Sequence, residues 1–409
     1  MSTCDVQPRV QVVVLQPTPF CNIACRYCYL PSRNVKTVVM QSTLHAVFAK
    51  LSESGWLGEE LTVIWHAGEP LVVPPEFYRT AFAQIRTLCP ELQVSHSIQT
   101  NGTLITPQWC ELFKEWGVKI GVSIDGPKRF NDVNRISRKG RSTYDQALAG
   151  IRMLREHGVP FHVIAVLSAQ SMQAPEEMLE FFRSEGIEDV CFNVEESEGD
   201  HVSELFETQD AQTLFRQFLE KFWRLARISG DVRFIREIDG MLPRIFRNTG
   251  AEVANMQTEP FAMLNVDALG NVSSFSPELL GLKNQAYGDF ILGNINTDSL
   301  AQMRASPVLA AMTRDIRSGV EECSRSCEYF SVCGGGAPVN KLFENGSFAS
   351  GRTRFCALTQ MAPVDLIIDA FGRLQHRVDG DAPAELPGAV SRHARHMHSD
   401  ATAVRAHGN

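Results

Sequence analysis

Apolar runs rich in β-branched residues alternate with amphipathic stretches through the first half of the chain. The runs are almost continuously apolar, which is typical of parallel strands that are buried on both faces. Between them, apolar residues recur at the spacing of helices that cover such a sheet. The pattern predicts strands at 10–15, 61–65, 94–99, 119–124, 161–167 and 189–194, and helices at 41–51, 76–89, 109–116, 144–157 and 175–185. Six strand–helix units in this order predict an α/β fold, either a barrel or an open sheet, with its site at the carboxyl ends of the strands.

The pattern changes after the last of these runs. Helical periodicity continues over 208–226 and 232–247, and from about Ala254 glycine, asparagine and serine surround short hairpin-like pieces. After about Arg377 the chain is rich in alanine, proline and histidine, which indicates a disordered tail. Dispersed histidines of a flexible tail are a simpler interpretation of His393, His396 and His398 than a metal site. We therefore predict a barrel over 1–230, a helical linker over 231–253, a smaller cysteine-rich domain over 254–376 and a tail over 377–409.

Composition narrows the class of protein. Hydrophobic residues make up 44% of the chain and charged residues 21%, which is enough for a sizeable buried core. The net charge of −8 argues against a nucleic-acid partner or an anionic membrane surface. The chain has no continuous apolar run long enough for a transmembrane helix, and its first residues lack the basic and apolar segments of a secretory signal. We therefore expect a soluble, cytoplasmic protein without a membrane partner.

Eleven cysteines require an explanation. An odd number without a secretory signal argues against a disulfide framework. Four of them, Cys4, Cys89, Cys110 and Cys191, are scattered singly, as small buried hydrophobic residues are. The others form two groups, a first cysteine motif of Cys21, Cys25 and Cys28, and a second cysteine motif of Cys323, Cys327, Cys333 and Cys356.

The first cysteine motif directly follows the first predicted strand, in the segment PTPFCNIACRYCYLP. Structural zinc prefers four protein ligands, and catalytic zinc usually has histidine or carboxylate among its ligands. Three thiolates alone suit a [4Fe–4S] cluster that leaves one iron open, and an open iron can take the amino and carboxylate groups of S-adenosylmethionine (SAM). Three core thiols on a turn are the alternative.

The spacing C-x3-C-x-Y-C, with Tyr27 before the third cysteine, resembles the radical SAM enzymes. The resemblance implies a cluster that reduces SAM to a 5′-deoxyadenosyl radical. It implies that Gly68, Glu69 and Pro70 receive the SAM amino group, with Ala67 in place of the usual first glycine. It also implies a partial (β/α)6 barrel with further SAM contacts at the strand ends, with Ser123 and Arg135 at the ribose and carboxylate. The full set of cofactor-binding candidates adds Tyr27, Gln99, Asn101 and Asp125. A tight turn is an equally good interpretation of Asp125 and the Gly-Pro that follows it.

The second cysteine motif resembles the SPASM domain of peptide-modifying radical SAM enzymes, a domain that normally carries two auxiliary clusters. Here CGGGAP places Ala337 in a cysteine position, and the upstream hairpin 266–295 contains no cysteine. The resemblance therefore implies a reduced SPASM- or twitch-like domain with one auxiliary [4Fe–4S] cluster, ligated by the four cysteines. A zinc ribbon is the alternative.

The segments FSPELLG, YGDFILGN and CGGGAPVNKLFENGSFAS resemble the cyclophane-forming peptide maturases of the GrrM/OscB type, and the resemblance covers 10–362. It implies a ribosomally made precursor peptide as substrate, hydrogen abstraction from a side-chain Cβ, and a carbon–carbon crosslink to an aromatic residue. A flavodoxin or ferredoxin is the expected electron donor. Glu278 and Asp289 are candidate general bases because they lie in the cysteine-free hairpin, although solvated loop carboxylates are the more ordinary interpretation.

Two other functions remain open on the sequence. One is a different radical SAM modification: thioether formation, epimerisation, or oxidation of a sulfatase serine or cysteine. The other is a binding protein in which both cysteine motifs hold structural zinc. Iron with acid-labile sulfide in anaerobically purified protein distinguishes the enzyme from the zinc protein.

Overall fold

The computed structural model describes residues 7–197, 201–203, 205, 210–246 and 253–378. Cys4 and the three tail histidines lie outside the described residues. Within them, ten strands form one sheet in the order β10-β9-β8-β1-β2-β3-β4-β5-β6-β7. Because β7 and β10 lie at its two edges, this sheet is an open, partial barrel.

The barrel strands are parallel and follow one another in chain order, so their carboxyl ends meet at one edge. Alternate residues of the first strand are buried in different clusters, with Val13 on one face and Val12 on the other. This two-sided burial explains the continuous apolar runs. The bounds are β1 Val10–Leu15, β2 Leu57–Trp65, β3 Gln93–Thr100, β4 Lys119–Ser123, β5 Phe161–Leu167, β6 Asp189–Val194 and β7 Phe234–Ile235. The predicted α/β class is confirmed.

Helices cover the sheet with one apolar face each. Proline at the first helical turn, where its missing N–H is not needed, begins several of them, and left-handed Gly55 and Gly117 end two. The buried faces carry large side chains, such as Phe48 and Phe82. The bounds are α1 Gln41–Ser54, α2 Pro75–Leu88, α3 Pro107–Trp116, α4 Lys128–Asn134, α5 Tyr144–Glu156, α6 Ala169–Met172, α7 Pro175–Ser184, α8 Ala211–Ser229, α9 Arg236–Asp239 and α10 Leu242–Ile245.

The cysteine-rich region begins as a continuation of the sheet. Strand β8 (Met263–Val266) pairs in parallel with β1, and β9 (Asn271–Ser274) and β10 (Gly293–Asn294) follow in antiparallel order. The expected linker, 231–253, contains β7 as well as α9 and α10. The domain boundaries remain predictions. The remaining helices are α11 Leu300–Arg304, α12 Pro307–Ser326, α13 Phe330–Cys333, α14 Pro338–Asn345, α15 Arg354–Cys356 and α16 Ala362–Val378, with a π-helical turn at Ala357–Met361.

The stretch Arg354–Arg373 is long and apolar enough to cross a membrane by length and composition alone, which the sequence analysis did not anticipate. In the structure, 56% of its apolar window is buried, and Leu366 and Ile367 belong to the main core. An ion pair between Asp369 and Arg216 joins it to α8. The stretch is therefore packed as a core helix.

Candidate active site

The loop between β1 and α1 carries the first cysteine motif, with all three thiols half-buried. Main-chain hydrogen bonds hold this loop against the segment that follows α4. Ala24 N donates to Ile136 O at 2.7 Å, and Arg26 N donates to Asn134 O at 3.0 Å. The loop therefore has a fixed path over the carboxyl ends of the strands.

The thiols of this motif are in an environment that disfavours bare thiolates. Burial raises the pKa of both Cys21 and Cys25 to about 12, and the neighbouring motif cysteines add to the rise. Arg135 Nη1 lies 3.9 Å from Cys25 Sγ, and the charges of Arg135 and Arg33 lower the pKa of Cys25 by less than burial raises it. Thiolates become favourable here when a strongly positive group binds, as a metal cluster does.

A sharp turn at the end of β2 presents Glu69. Ala67 and Gly68 both have φ of 69°, the left-handed region that a residue with a side chain adopts only at a cost. A Cβ on Gly68 would lie 2.2 Å from Thr18 O, so only glycine allows this close approach to the cysteine loop. The Glu69 N–H donates to Phe20 O at 2.8 Å and fixes the contact.

The Glu69 carboxylate is buried, with 1% of its surface exposed, and its orientation is fixed. Oε1 accepts hydrogen bonds from Leu71 N at 2.9 Å and from Thr100 Oγ1 at 2.7 Å, and Oε2 accepts one from Asn101 N at 2.8 Å. Burial raises its pKa to about 7, against the lowering effect of these bonds. A fixed carboxylate that has no cationic partner among the described residues suits an incoming ammonium group.

The next two strands place the other polar candidates beside this carboxylate. Gln99 Nε2 donates to Ser123 Oγ at 2.8 Å across β3 and β4. Asn101 Nδ2 donates to Asn22 Oδ1 at 2.8 Å and lies 3.9 Å from Cys21 Sγ. The strand-end positions thus converge on the cysteine loop.

Asp125 does more than form a turn. Its Oδ2 accepts a hydrogen bond from Tyr27 OH at 2.7 Å, and its Oδ1 accepts from Arg135 Nε at 2.9 Å and from Val166 N at 3.0 Å. Gly126 beside it is left-handed, as a tight turn requires, and a contact between Asp125 and SAM remains a prediction. Through these bonds Asp125 fixes Arg135 next to the first cysteine motif.

Arg135 carries the most specific sign of a missing ligand. Only 5% of its surface is exposed, yet Nη2 has no hydrogen-bond partner in the described part of the chain. Buried donors are almost always paired, so an unpaired guanidinium N–H in a polar site points to an anionic ligand. The residues therefore fit a ligand that, like SAM, carries both a carboxylate and an ammonium group. The role of Pro70 in SAM binding remains a prediction; it begins a short 3-10 turn, Pro70–Val72.

The second cysteine motif lies where α12, α13 and α15 meet. Cys323 and Cys333 are buried, and Cys327 and Cys356 are half-buried. Gly336 permits the close packing, since a Cβ there would lie 3.2 Å from Cys356 Sγ.

The donor set of both motifs fits iron–sulfur chemistry. All seven candidate ligands are cysteine thiols, the soft donors that iron–sulfur clusters take. In a cubane each thiolate binds a different iron, so three thiols leave one iron open and four thiols ligate the whole cluster.

A pocket separates the end of β6 from the second cysteine motif. One of its acids, Glu196, was not predicted from the sequence; it lies two residues after the sixth strand and accepts a hydrogen bond from Asn340 Nδ2 at 2.6 Å. Its strand-end position was a usable signal, but its partner is 144 residues away. Polar residues of β6 and α9 line one side of the pocket, and the cysteine motif lines the other; the residues used below are Asn193, Glu196, Arg236, Glu278, Cys333, Ala337, Asn340 and Cys356.

Glu278 lies in this pocket and Asp289 does not. Burial raises the pKa of Glu278 to about 7 and that of Glu196 to about 8, and the Glu278 charge adds to the second rise. Asp289 is exposed, and its Oδ1 accepts a hydrogen bond from Ile291 N at 3.2 Å. The geometry therefore favours Glu278 of the two candidate bases.

One donor in the pocket is also unpaired. Asn193 Oδ1 accepts a hydrogen bond from Arg236 Nη2 at 2.6 Å, which fixes the orientation of the amide because arginine only donates. Asn193 Nδ2 is buried without a partner among the described residues. Among the described residues, the pocket thus offers the unpaired Asn193 donor and three acids, Glu196, Glu237 and Glu278, of which Glu237 is paired with Arg236.

Comparisons with known proteins agree with this geometry. Residues 15–182 match the radical SAM superfamily. An uncharacterized protein of Synechocystis sp. is 38% identical over 364 residues, which covers 88% of this chain and 91% of the relative. A serine-type anaerobic sulfatase-maturating enzyme of Bacteroides thetaiotaomicron is 27% identical over 350 residues, which covers 82% and 84%.

Solved structures show the same fold. The structure of anSMEcpe with bound AdoMet has a TM-score of 0.72 at 19% identity and covers 98% of this chain and 100% of that chain. Streptococcus suis SuiB bound to its precursor peptide SuiA has a TM-score of 0.57 at 14% identity and covers 86% and 77%.

Proposed function

Because this chain belongs to the radical SAM superfamily, we propose that it is a maturase of a ribosomally made precursor peptide that joins a side-chain Cβ to an aromatic carbon. The observation that carries the enzyme class is the buried site in which Glu69 and the unpaired Arg135 Nη2 lie beside three thiols. A protein in which zinc only stabilises the fold does not need a buried carboxylate and an unpaired guanidinium N–H beside the thiols.

The residues of this site have distinct tasks. Cys21, Cys25 and Cys28 would hold a [4Fe–4S] cluster with one open iron, Glu69 would accept hydrogen bonds from the SAM ammonium, and Arg135 would bind the SAM carboxylate. When bound, cluster and SAM supply a 5′-deoxyadenosyl radical that removes a hydrogen atom from the substrate. Asp125 keeps the guanidinium in place, which is positioning by a fixed hydrogen bond.

A peptide substrate is supported by what the similar proteins are named for. They include enzymes that mature sulfatases and a structure holding a precursor peptide. We propose that the substrate residue enters the pocket between β6 and the second cysteine motif. There the free amide donor of Asn193 would bind a substrate carbonyl oxygen, a group that every peptide carries.

Glu278 is the proposed proton acceptor. Forming a bond between Cβ and an aromatic ring requires the ring to lose one proton and one electron before it is aromatic again. Glu278 is a buried carboxylate in the pocket and has a pKa close to the working pH, as an efficient base needs. The cluster on the second cysteine motif is the proposed electron acceptor.

The second motif has fewer cysteines than the SPASM pattern, and this difference supports crosslinking over sulfatase maturation. Ala337 lies in the pocket lining, at a position where the SPASM pattern has a cysteine. The similarity to sulfatase-maturating enzymes favours a second candidate function, oxidation of a serine or cysteine in a sulfatase. Both candidates use the same first motif, so the substrate must decide between them.

Isotope labelling of the substrate separates the candidates. We expect a crosslinked peptide about 2 Da lighter, with one SAM consumed per ring as co-substrate. Deuterium at the attacked Cβ should appear in 5′-deoxyadenosine, and one deuterium of the aromatic ring should be lost to solvent. The substrate for this test is the peptide encoded by a neighbouring small reading frame, and the Cys21→Ala chain is the control.

The ring label is decisive because oxidation of serine to an aldehyde also removes about 2 Da. A lighter product that keeps its whole ring label and reacts with hydroxylamine would support the sulfatase candidate. An unchanged mass with label taken from Cα would indicate epimerisation. We further expect a flavodoxin or ferredoxin as reductant, and therefore a cytoplasmic location.

A further inference from the structure

Lys341 is a buried lysine beside the second cysteine motif, with 1% of its surface exposed. Its Nζ donates to Gly319 O at 2.8 Å and to Cys323 Sγ at 3.2 Å. Among the described residues, no carboxylate forms an ion pair with it. A lysine in this position is unusual, because buried ammonium groups are nearly always paired with an acid.

A glycine on the facing helix leaves room for the Lys341 ammonium group. Lys341 lies one turn into α14, which begins directly after the glycine-rich segment that follows Cys333. On the facing helix, a Cβ at Gly319 would lie 2.2 Å from Phe348 O and 3.2 Å from Lys341 Nζ. Only glycine therefore leaves space for both the main chain at Phe348 and the ammonium group of Lys341.

The charge of Lys341 needs a negative partner, and a carbonyl oxygen supplies only a partial one. The other contacting atom is the sulfur of Cys323, which is an anion when it ligates a metal cluster. A buried ammonium and a cluster thiolate therefore satisfy each other, and the pair is already in place before any substrate arrives.

We propose that Lys341 sets the reduction potential of the auxiliary cluster held by Cys323, Cys327, Cys333 and Cys356. Reduction adds one electron to the cluster and makes it more negative. A fixed cation and a hydrogen bond at a ligand sulfur both stabilise that form and raise the potential. Lys341 thereby makes the cluster a better acceptor for an electron that leaves the substrate. The proposal depends on a cluster at the second motif and not on which residues are crosslinked.

The test is a redox titration of the auxiliary cluster followed by electron paramagnetic resonance. The full-length chain carries alanine at Cys21, Cys25 and Cys28, so that only the second cluster contributes a signal. In Lys341→Met we expect the ratio of reduced to oxidised cluster at a fixed potential to fall at least tenfold, which is about 59 mV for one electron. In Lys341→Arg, which keeps the charge, the ratio should stay within about threefold.

Lys50 provides a matched control. Its Nζ also donates to two main-chain carbonyls, Ile295 O at 2.6 Å and Asp298 O at 2.7 Å, but it contacts no cysteine. Lys50→Met should leave the potential unchanged. Iron and sulfide are counted in every variant, and Lys341→Gln is measured beside Lys341→Met as a second neutral variant.

Several results would overturn the proposal. They are an unchanged potential in both neutral variants, or an equal shift in Lys341→Arg. Loss of iron from both neutral variants but not from Lys341→Arg would instead assign the lysine to cluster assembly. If the parent chain holds no iron at the second motif, the cluster assignment itself is wrong.

Discussion

The two cysteine motifs each lie beside one buried cation, and the two cations are balanced in different ways. Arg135, at the first motif, is paired with Asp125 and keeps one guanidinium N–H free. Lys341, at the second motif, has no acid partner in the described structure and donates to Cys323 Sγ. A cation that is already neutralised by an acid and keeps one N–H free, as Arg135 does, suits a ligand that binds and dissociates. An unneutralised cation suits an anionic group that stays.

The same contrast extends to ligand number. The first motif offers three thiols, with Glu69 and Asn101 next to them, whereas the second offers four cysteines and a buried packing of glycines. Three ligands leave one iron for SAM, and four ligands leave none. In the proposed function, the first site is therefore the site of chemistry, and the second is suited to electron transfer.

Removing one thiol from the first motif tests the different roles of the two cysteine sites, and it has the largest expected effect. Cys21→Ala should abolish reductive cleavage of SAM, because the cluster loses a ligand and its open-iron geometry. The measurement is 5′-deoxyadenosine formed under dithionite. Cys110→Ala is the control, since Cys110 is a buried thiol of α3 that belongs to neither motif. Product from Cys21→Ala at the level of Cys110→Ala would refute these different roles.

Removing the proposed base should separate SAM cleavage from product formation. We expect Glu278→Gln to lower crosslink formation by about 10²–10⁴-fold while SAM is still cleaved. In the parent chain the rate should rise as pH increases through about 7, because Glu278 accepts a proton only after losing its own. Asp289→Asn is the matched control, an exposed carboxylate of the same segment. Loss of product in that control, with activity kept in Glu278→Gln, would reverse the assignment.

Two neighbouring residues with the same left-handed φ should respond in opposite directions. Gly68→Ala should lower the free energy of unfolding by about 3 kcal/mol, since its Cβ would collide with Thr18 O. Ala67→Gly should raise it by about 1 kcal/mol, because glycine adopts φ of 69° without strain. Chemical denaturation of the cluster-free chain measures both. Equal destabilisation by the two changes would contradict the described turn.

The strands were predictable because burial on both faces requires a continuous run of apolar residues in the sequence. β1, β5 and β6 begin and end as predicted, while β2 begins four residues earlier, at Leu57, where the strand is half-exposed and no longer apolar. The two-residue strand β7 carries no periodicity at all. The pairing of β8 with β1 depends on a contact between distant parts of the chain, which no local pattern encodes.

The candidate site divides in the same way. The cysteines could be found because they occur at the fixed spacing of a motif, and Glu69 because it follows the end of a predicted strand. Glu196 offers only its position near a strand end, and Lys341 offers no signal, since their importance comes from partners on other elements: Asn340 for the first and Cys323 for the second. Buried polar pairs of this kind are invisible until the fold brings them together.

The most direct test of the account is the count of iron and acid-labile sulfide in two chains reconstituted without oxygen. We predict about eight irons in the parent chain and about four when Cys21, Cys25 and Cys28 are all alanine. Those numbers correspond to one open cluster and one closed cluster. About twelve irons in the parent, about eight in the variant, or zinc in place of iron would contradict it.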